Sequence, residues 1–213
     1  LIFWYSQSCS NTKNLDMNLK SILSYSFQSF YLAGSCFLLF IFLPTFYNLS
    51  IGIPLSVIGL VILISRLFDV ISDFLIGYLS EKRIISGRSK KNQILLGIIV
   101  FIFSLFGLYV IQSDNIYSFI FFYNLALVSY SIAIIPYDSI VIDQKKILKK
   151  RFRLAAIKEI FAILGVLSAL IIPTVISKLQ GVDLLNPNVI KISWLIFIIL
   201  AITGGLIFYL FYD

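Results

Sequence analysis

The chain alternates long apolar runs with short polar or turn-rich breaks, and the runs fall at 21–46, 54–80, 92–112, 116–141, 154–177 and 190–212. A helix needs about 20 apolar residues to cross a bilayer, so each run is long enough for one crossing. Barrel strands would show alternation within segments of about ten residues, whereas these runs are continuous and rich in Ile, Leu and Phe. A helix also satisfies its own backbone hydrogen bonds in lipid. The pattern therefore predicts an all-α membrane protein with six transmembrane helices.

The breaks carry turn residues. "LPTFYNLSIGIP" holds Pro44, Asn48, Gly52 and Pro54, and "LQGVDLLNPN" holds Gly181 and Pro187, which predicts a short loop at each place. No linker or low-complexity tract interrupts the series, so residues 17–213 are expected to form one bundle. Residues 1–16 lack the basic segment and long apolar core of a signal peptide. Met17 is the chain's one methionine, and the expectation is that translation starts there and that 1–16 is a leader or upstream readthrough. Composition strengthens the membrane assignment, because 60% of residues are hydrophobic and 13% charged, far from a soluble domain.

Charge sets the expected topology. Lys13 and Lys20 precede the first span, Lys82, Arg83, Arg88, Lys90 and Lys91 follow the second, and seven more cations lie between the fourth span and the start of the fifth, Lys158 included. Basic residues of short loops stay in the cytoplasm, so both termini are predicted cytoplasmic, in the cell (inner or plasma) membrane. Only Lys178 and Lys191 fall on the opposite side. The net charge of +7 is thereby explained by topology and anionic lipid headgroups, with no nucleic acid implied. The chain has no His and only two Cys, Cys9 and Cys36, and it lacks metal-spaced ligands, a phosphate-cradling loop and a nucleophile elbow. An enzyme is not expected, nor is a bound cofactor.

Of the seventeen cations, this assignment leaves Arg66 inside the membrane. In "ISRLFDVISDFLIGYLSEKR", residues 64–83, Arg66, Asp69 and Asp73 interrupt an otherwise lipid-soluble run. At about 100° per residue all three fall within an arc of roughly 60°, joined by Gly59 and Gly77. A charge at the bilayer centre costs at least about 2.5 to 3.5 kcal/mol, so this stripe is expected to face protein or water. A structural pair needs only one carboxylate for Arg66; the second leaves a negative surplus suited to a cation or a proton. Asp69 and Asp73 offer hard oxygen ligands, with the Ser72 hydroxyl as a weaker third because it points about 100° away from Asp73.

These residues carry a family resemblance. "GIPLSVIGLVILISRLFDVISDFLIGYLSEKRIISGRSKKNQIL" resembles helix 2 and the following loop of the glycoside-pentoside-hexuronide:cation symporters, the melibiose permease relatives within the major facilitator superfamily: Arg66, Asp69, Asp73, Gly77, Glu81, Gly87 and Arg88 match in order. "YSIAIIPYDSIVIDQKKILKKRFRLAAIKEIFAILG" resembles helix 4 and the loop into helix 5, through Pro136, Tyr137, Asp143, Arg151 and Lys158, and "YSFQSF" resembles the opening of helix 1. The resemblance implies one six-helix half of a major facilitator fold, working by alternating access as a Na+- or H+-coupled sugar or glycoside symporter. It implies a cation site at Asp69, Asp73, Ser72 and Ser131, with Asp69 and Asp73 as ligands if the ion is Na+. It places Tyr130 and Lys158 near the sugar, with Arg66 and Asp138 as further substrate-side candidates, and makes Gly77, Glu81, Gly87 and Arg88 a gating loop.

Departures from the pattern are specific. Ile134 stands where melibiose permease presents an Asp, Asp138 where it has an aromatic, and Leu32 and Ala33 replace a charged pair. Asp138 either supplies the missing carboxylate from a position shifted by about 6 Å along the helix or lies at the interface. Phe74 replaces the family's Pro, which predicts a straighter second helix. The implied partners are a small-molecule substrate, membrane lipids, and either a missing C-terminal half or a second copy. A half-length chain is expected to be a piece of a longer protein, with a degraded gene or a dimerising half-carrier as the alternatives. The competing functional readings are a non-transporting scaffold or remnant and a carrier of a lipid-like substrate.

Overall fold

A computed structural model describes the backbone of residues 19–83, 87–111, 115–143 and 148–211, and the side chains of 20–80, 90–110, 115–141 and 152–210. The expectations for the 1–16 leader and Met17 lie outside the described residues. Six helices follow one another: α1 (Leu19–Ile51), α2 (Leu55–Arg83), α3 (Gly87–Phe106), α4 (Ile116–Asp143), α5 (Leu148–Gln180) and α6 (Pro187–Phe211). Each contains a stretch long and apolar enough to cross a membrane, and the described residues hold no strand. The six-crossing pattern is borne out.

One boundary differs from expectation. Pro44 was expected in a loop, but α1 runs through it to Ile51. A proline removes one backbone donor, yet its neighbours Leu43, Phe46 and Tyr47 are almost completely buried, and that packing holds the helix together. The turn is confined to Gly52–Pro54: Gly52 takes φ +78°, its N–H donates to Asn48 O at 3.0 Å, and Asn48 Nδ2 donates to Ile53 O at 2.9 Å. The expected turn after α5 does form. Gly181 sits at φ +65°, and the Asn186 side chain accepts from Asn188 N at 3.0 Å to cap α6. Helix α2 runs 29 residues, Leu55–Arg83.

Helix α1 is the hub, packing chiefly on α5 and α6, while α3 packs on α4 and α4 on α2. Its crossing with α5 is glycine-dependent: a Cβ on Gly165 would run into the backbone carbonyl of Phe30, and one on Gly34 would meet the Phe197 ring and Gly165 O. At the end of α3 the helix widens into a π-turn, Gly107–Ile111, where Gly107 lies against the Phe122 ring. The sequence pattern did not signal that turn.

Burial is uneven. In the apolar span of α1, 56% of residues are buried, against 17% in those of α2 and α5. Leu63, Leu67, Phe68, Val70 and Phe74 of α2 and Ile163, Leu167 and Ile171 of α5 are exposed. An addition of Cβ at Gly59 or Gly77 would meet no atom within 4 Å, so the glycine positions of α2's charged stripe face open space.

The crossing gives a direct test. Gly165→Ala is expected to lower unfolding stability in detergent by about 1–3 kcal/mol, since a backbone carbonyl cannot swing aside. Gly59→Ala, with nothing nearby, is expected to cost no stability. Thermal unfolding of the two purified variants measures both.

Candidate functional site: a charged cavity among α1, α2 and α4

The cavity that α2's charged stripe faces has a volume of about 190 Å3. Its polar wall is Cys36 from α1, Arg66, Asp69 and Asp73 from α2, and Tyr130 and Ser131 from α4. Helix spacing explains the α2 contribution, because positions 66, 69 and 73 recur at three and four residues and so share a face. Asp69 stands near the middle of the Leu55–Ser80 span.

Arg66 Nη1 donates to Asp69 Oδ2 at 2.8 Å, and its guanidinium lies 3.9 Å from the centroid of the Phe40 ring. Arginine stacked on an aromatic face gains cation–π attraction that is larger when water is excluded. The Arg66 side chain keeps 46% of its exposure and Asp69 only 11%, so the guanidinium spans from the open side of the bundle to a nearly enclosed carboxylate. Asp69 Oδ1 and Asp73 Oδ1 are buried and have no hydrogen-bond partner among the described residues. Ser131 stands beside the Asp69 carboxylate, and Cys36 beside Tyr130. One guanidinium therefore faces two carboxylates, and one oxygen of each is buried with no partner in hydrogen-bond geometry among the described residues, the Ser131 hydroxyl being the donor that stands nearest Asp69.

Ser72 is not part of this wall. Its hydroxyl donates to the Asp69 main-chain O at 2.9 Å, which ties it to its own helix. Ile134, where the resemblance has an Asp, does line the cavity.

Asp138 and Lys158 meet elsewhere. Lys158 Nζ reaches across from α5 to Asp138 Oδ1 at 2.6 Å, contacts Glu159 Oε1 at 3.3 Å, and lies 5.6 Å from the centroid of Tyr137. Asp138 is thus engaged with the lysine one helix away and is not a member of the Asp69 cavity. Beneath it, Tyr25 and Tyr137 clasp α1 to α4: each hydroxyl donates to the other's main-chain carbonyl at 2.8 Å, and the rings stack at 4.3 Å. Both tyrosines lie in the blocks that carry the family resemblance, but their mutual contact joins residues 112 apart and no local spacing announces it. Of the gating candidates, Gly77 is described and half-buried; Glu81, Gly87 and Arg88 end α2 and open α3, and their side chains lie outside the described residues.

The fold and this cavity define an integral, multi-pass membrane protein with ionisable groups held at mid-depth. Residues 24–212 match the family described as MFS/sugar transport protein, so the chain belongs to that family of the major facilitator superfamily and is a transporter by family. A search among curated proteins gave no match.

The α4–α5 pair is testable by a double-mutant cycle. Asp138→Asn and Lys158→Gln are expected to show a favourable coupling of about 0.6–1.7 kcal/mol in unfolding stability, the range for polar pairs between membrane helices. Additive effects would mean that the two side chains do not hold each other.

Proposed function

We propose that this chain is the N-terminal six-helix half of a cation-coupled symporter for a sugar or glycoside, of the melibiose permease-like kind. The observation that carries this reading is the cavity in which Arg66 is outnumbered by Asp69 and Asp73, with Oδ1 of each carboxylate buried and unpartnered. Keeping a charge at that depth is expensive, and a bound Na+ or H+ removes the surplus. Hydroxyl donors of the Ser131 kind suit a hard cation, and we assign the ion to Asp69, Asp73 and Ser131, with Ser72 in support through the Asp69 backbone.

The substrate is assigned to the open side of the cavity at Arg66 and Tyr130, with the Asp138–Lys158 pair between α4 and α5 as a separate substrate-side candidate. Mechanistically, the cation neutralises the carboxylates, which lowers the cost of turning the charged face through the closed state, and the sugar adds contacts that only the loaded bundle can complete. Coupling follows because neither ligand alone offsets both costs. The sparsely buried apolar faces of α2 and α5 are where a second six-helix bundle, either the other half or a second copy, would close the cavity, as two repeats do in carriers that rock around a midplane site. We assign both termini to the cytoplasm, on the charge of the basic loops, and Gly77, Glu81, Gly87 and Arg88 to the gate.

Uptake by the full protein in vesicles, with imposed Na+ or H+ gradients and a panel of labelled glycosides, tests this. Asp73→Asn and Asp69→Asn are expected to express and fold yet lose about 5- to 150-fold of cation stimulation, the usual range of a coupling free energy. Loss of expression with cation-stimulated uptake intact in the surviving protein would instead assign the carboxylates to packing.

A further inference from the structure

Helices α5 and α6 both pack on α1 but touch each other little, which leaves a groove between them with α1 as its floor. It lies at the end of the bundle where α1 begins and α6 finishes, the end that carries the basic loops, and its volume is about 490 Å3. Lys20, Leu23, Ser24 and Phe27 of α1 line it with Phe161 of α5 and Ile207 of α6. Positions 20, 23, 24 and 27 recur at three and four residues and so share one face of α1. Phe27 closes the deep end. Its ring stacks on Phe30 with centroids 5.8 Å apart, and it occupies space that a Cβ on Gly204 would contest, so the bare glycine lets the ring sit close against α6.

Below its mouth the groove suits hydrocarbon. Leu23 and Ile207 are 44% and 37% exposed, while the Ser24 hydroxyl spends its one proton on the Ser21 main-chain O at 3.0 Å. Lys20 is exposed at the mouth. Helices α1 and α5 meet at Phe30 and Gly165 and cross in the same direction, which brings Arg153 level with the first turn of α1. Among the described residues, 20–24 of α1, 152–157 of α5 and 205–210 of α6 hold these two cations and no acid. A lysine stem lies along apolar surface while its ammonium reaches the headgroups, and basic pockets between membrane helices attract anionic headgroups. Phe161 is also roughly 100° round α5 from the exposed Ile160, Ile163 and Ile171, so this side of α5 is not the face offered to a second bundle.

We propose that the groove is a binding site for an anionic phospholipid of the leaflet that the basic loops face, with one acyl chain along Leu23, Phe27, Phe161 and Ile207 and the headgroup phosphate on Lys20. The volume falls within the range of about 300–1,000 Å3 typical of small-ligand sites. Its floor belongs to α1, whose apolar span is the most buried of the six, so the groove is formed before lipid arrives. The bound chain fills the gap between α5 and α6 and ties both to α1. No residue is shared with the charged cavity, and the site does not depend on which ion that cavity holds.

Photolabelling tests this on the purified full protein in phosphatidylcholine bilayers, with trace phosphatidylglycerol or phosphatidylcholine carrying a diazirine on the acyl chain and adducts located by peptide mapping. The phosphatidylglycerol probe is expected to label Leu23, Phe27, Phe161 and Ile207 more heavily than Phe103 and Ile199, which are exposed elsewhere on α3 and α6. Its labelling of the groove is expected to exceed that of the phosphatidylcholine probe about fivefold, a preference lost in Lys20→Gln. Ile207→Trp, which fills the groove from a partly exposed position, is expected to remove the groove adducts and leave those at Phe103 and Ile199 unchanged. Equal labelling of all these positions would mean bulk lipid only and would overturn the site. Unlabelled groove residues would overturn it by showing that another segment of the protein or a second copy covers them. Equal labelling by the two probes, or a preference that survives Lys20→Gln, overturns the assignment of an anionic headgroup to Lys20.

Discussion

An arginine facing two carboxylates, part-way through a helix that must live in lipid, is the constraint on which the rest of this structure depends. Charge at that depth is tolerated only against protein or water, and α2 meets the requirement by turning Arg66, Asp69 and Asp73 onto one face and laying that face on α1 and α4. Phe40 covers the guanidinium, and Ser131 attends Asp69. The consequence is a helix with two unlike sides, a charged stripe that needs a cavity and a flank of Leu, Val and Phe left exposed. Stability for such a helix comes from its neighbours rather than from burial of its own apolar surface.

Helix α1 supplies that support. Its close glycine-mediated crossing with α5, its packing on α6 and its tyrosine clasp to α4 fix the frame in which α2 hangs. A frame centred on α1 with two loosely buried, charge-bearing helices, α2 and α5, is suited to a carrier, since the ionisable stripe of α2 sits on an element lightly committed to the core. The proposed symport draws on this division: the core stays fixed while ligand binding alters the cost of moving the charged face.

Most of the fold could be read from the chain because lipid leaves few alternatives: a run without charge from Lys20 to Arg66 permits helices and little else. Pro44 was misplaced because local chemistry favours a break there, while the tertiary packing of Leu43, Phe46 and Tyr47 overrides it. The Arg66–Asp69–Asp73 face was legible because three- and four-residue spacing is local. Asp138 and Lys158 were each legible as charged positions, but their pairing was not, since it depends on how α4 and α5 lie together. The same holds for Tyr25 with Tyr137, whose contact joins residues 112 apart.

The most direct test of the account is equilibrium cation binding to the purified full protein, counted as sodium bound or protons taken up per chain, in the wild type and in Asp69→Asn with Asp73→Asn. The account predicts one saturable cation per chain that disappears in the double variant. A folded wild type that binds none, or a double variant that still binds it, would contradict the claim that these carboxylates hold the coupling ion.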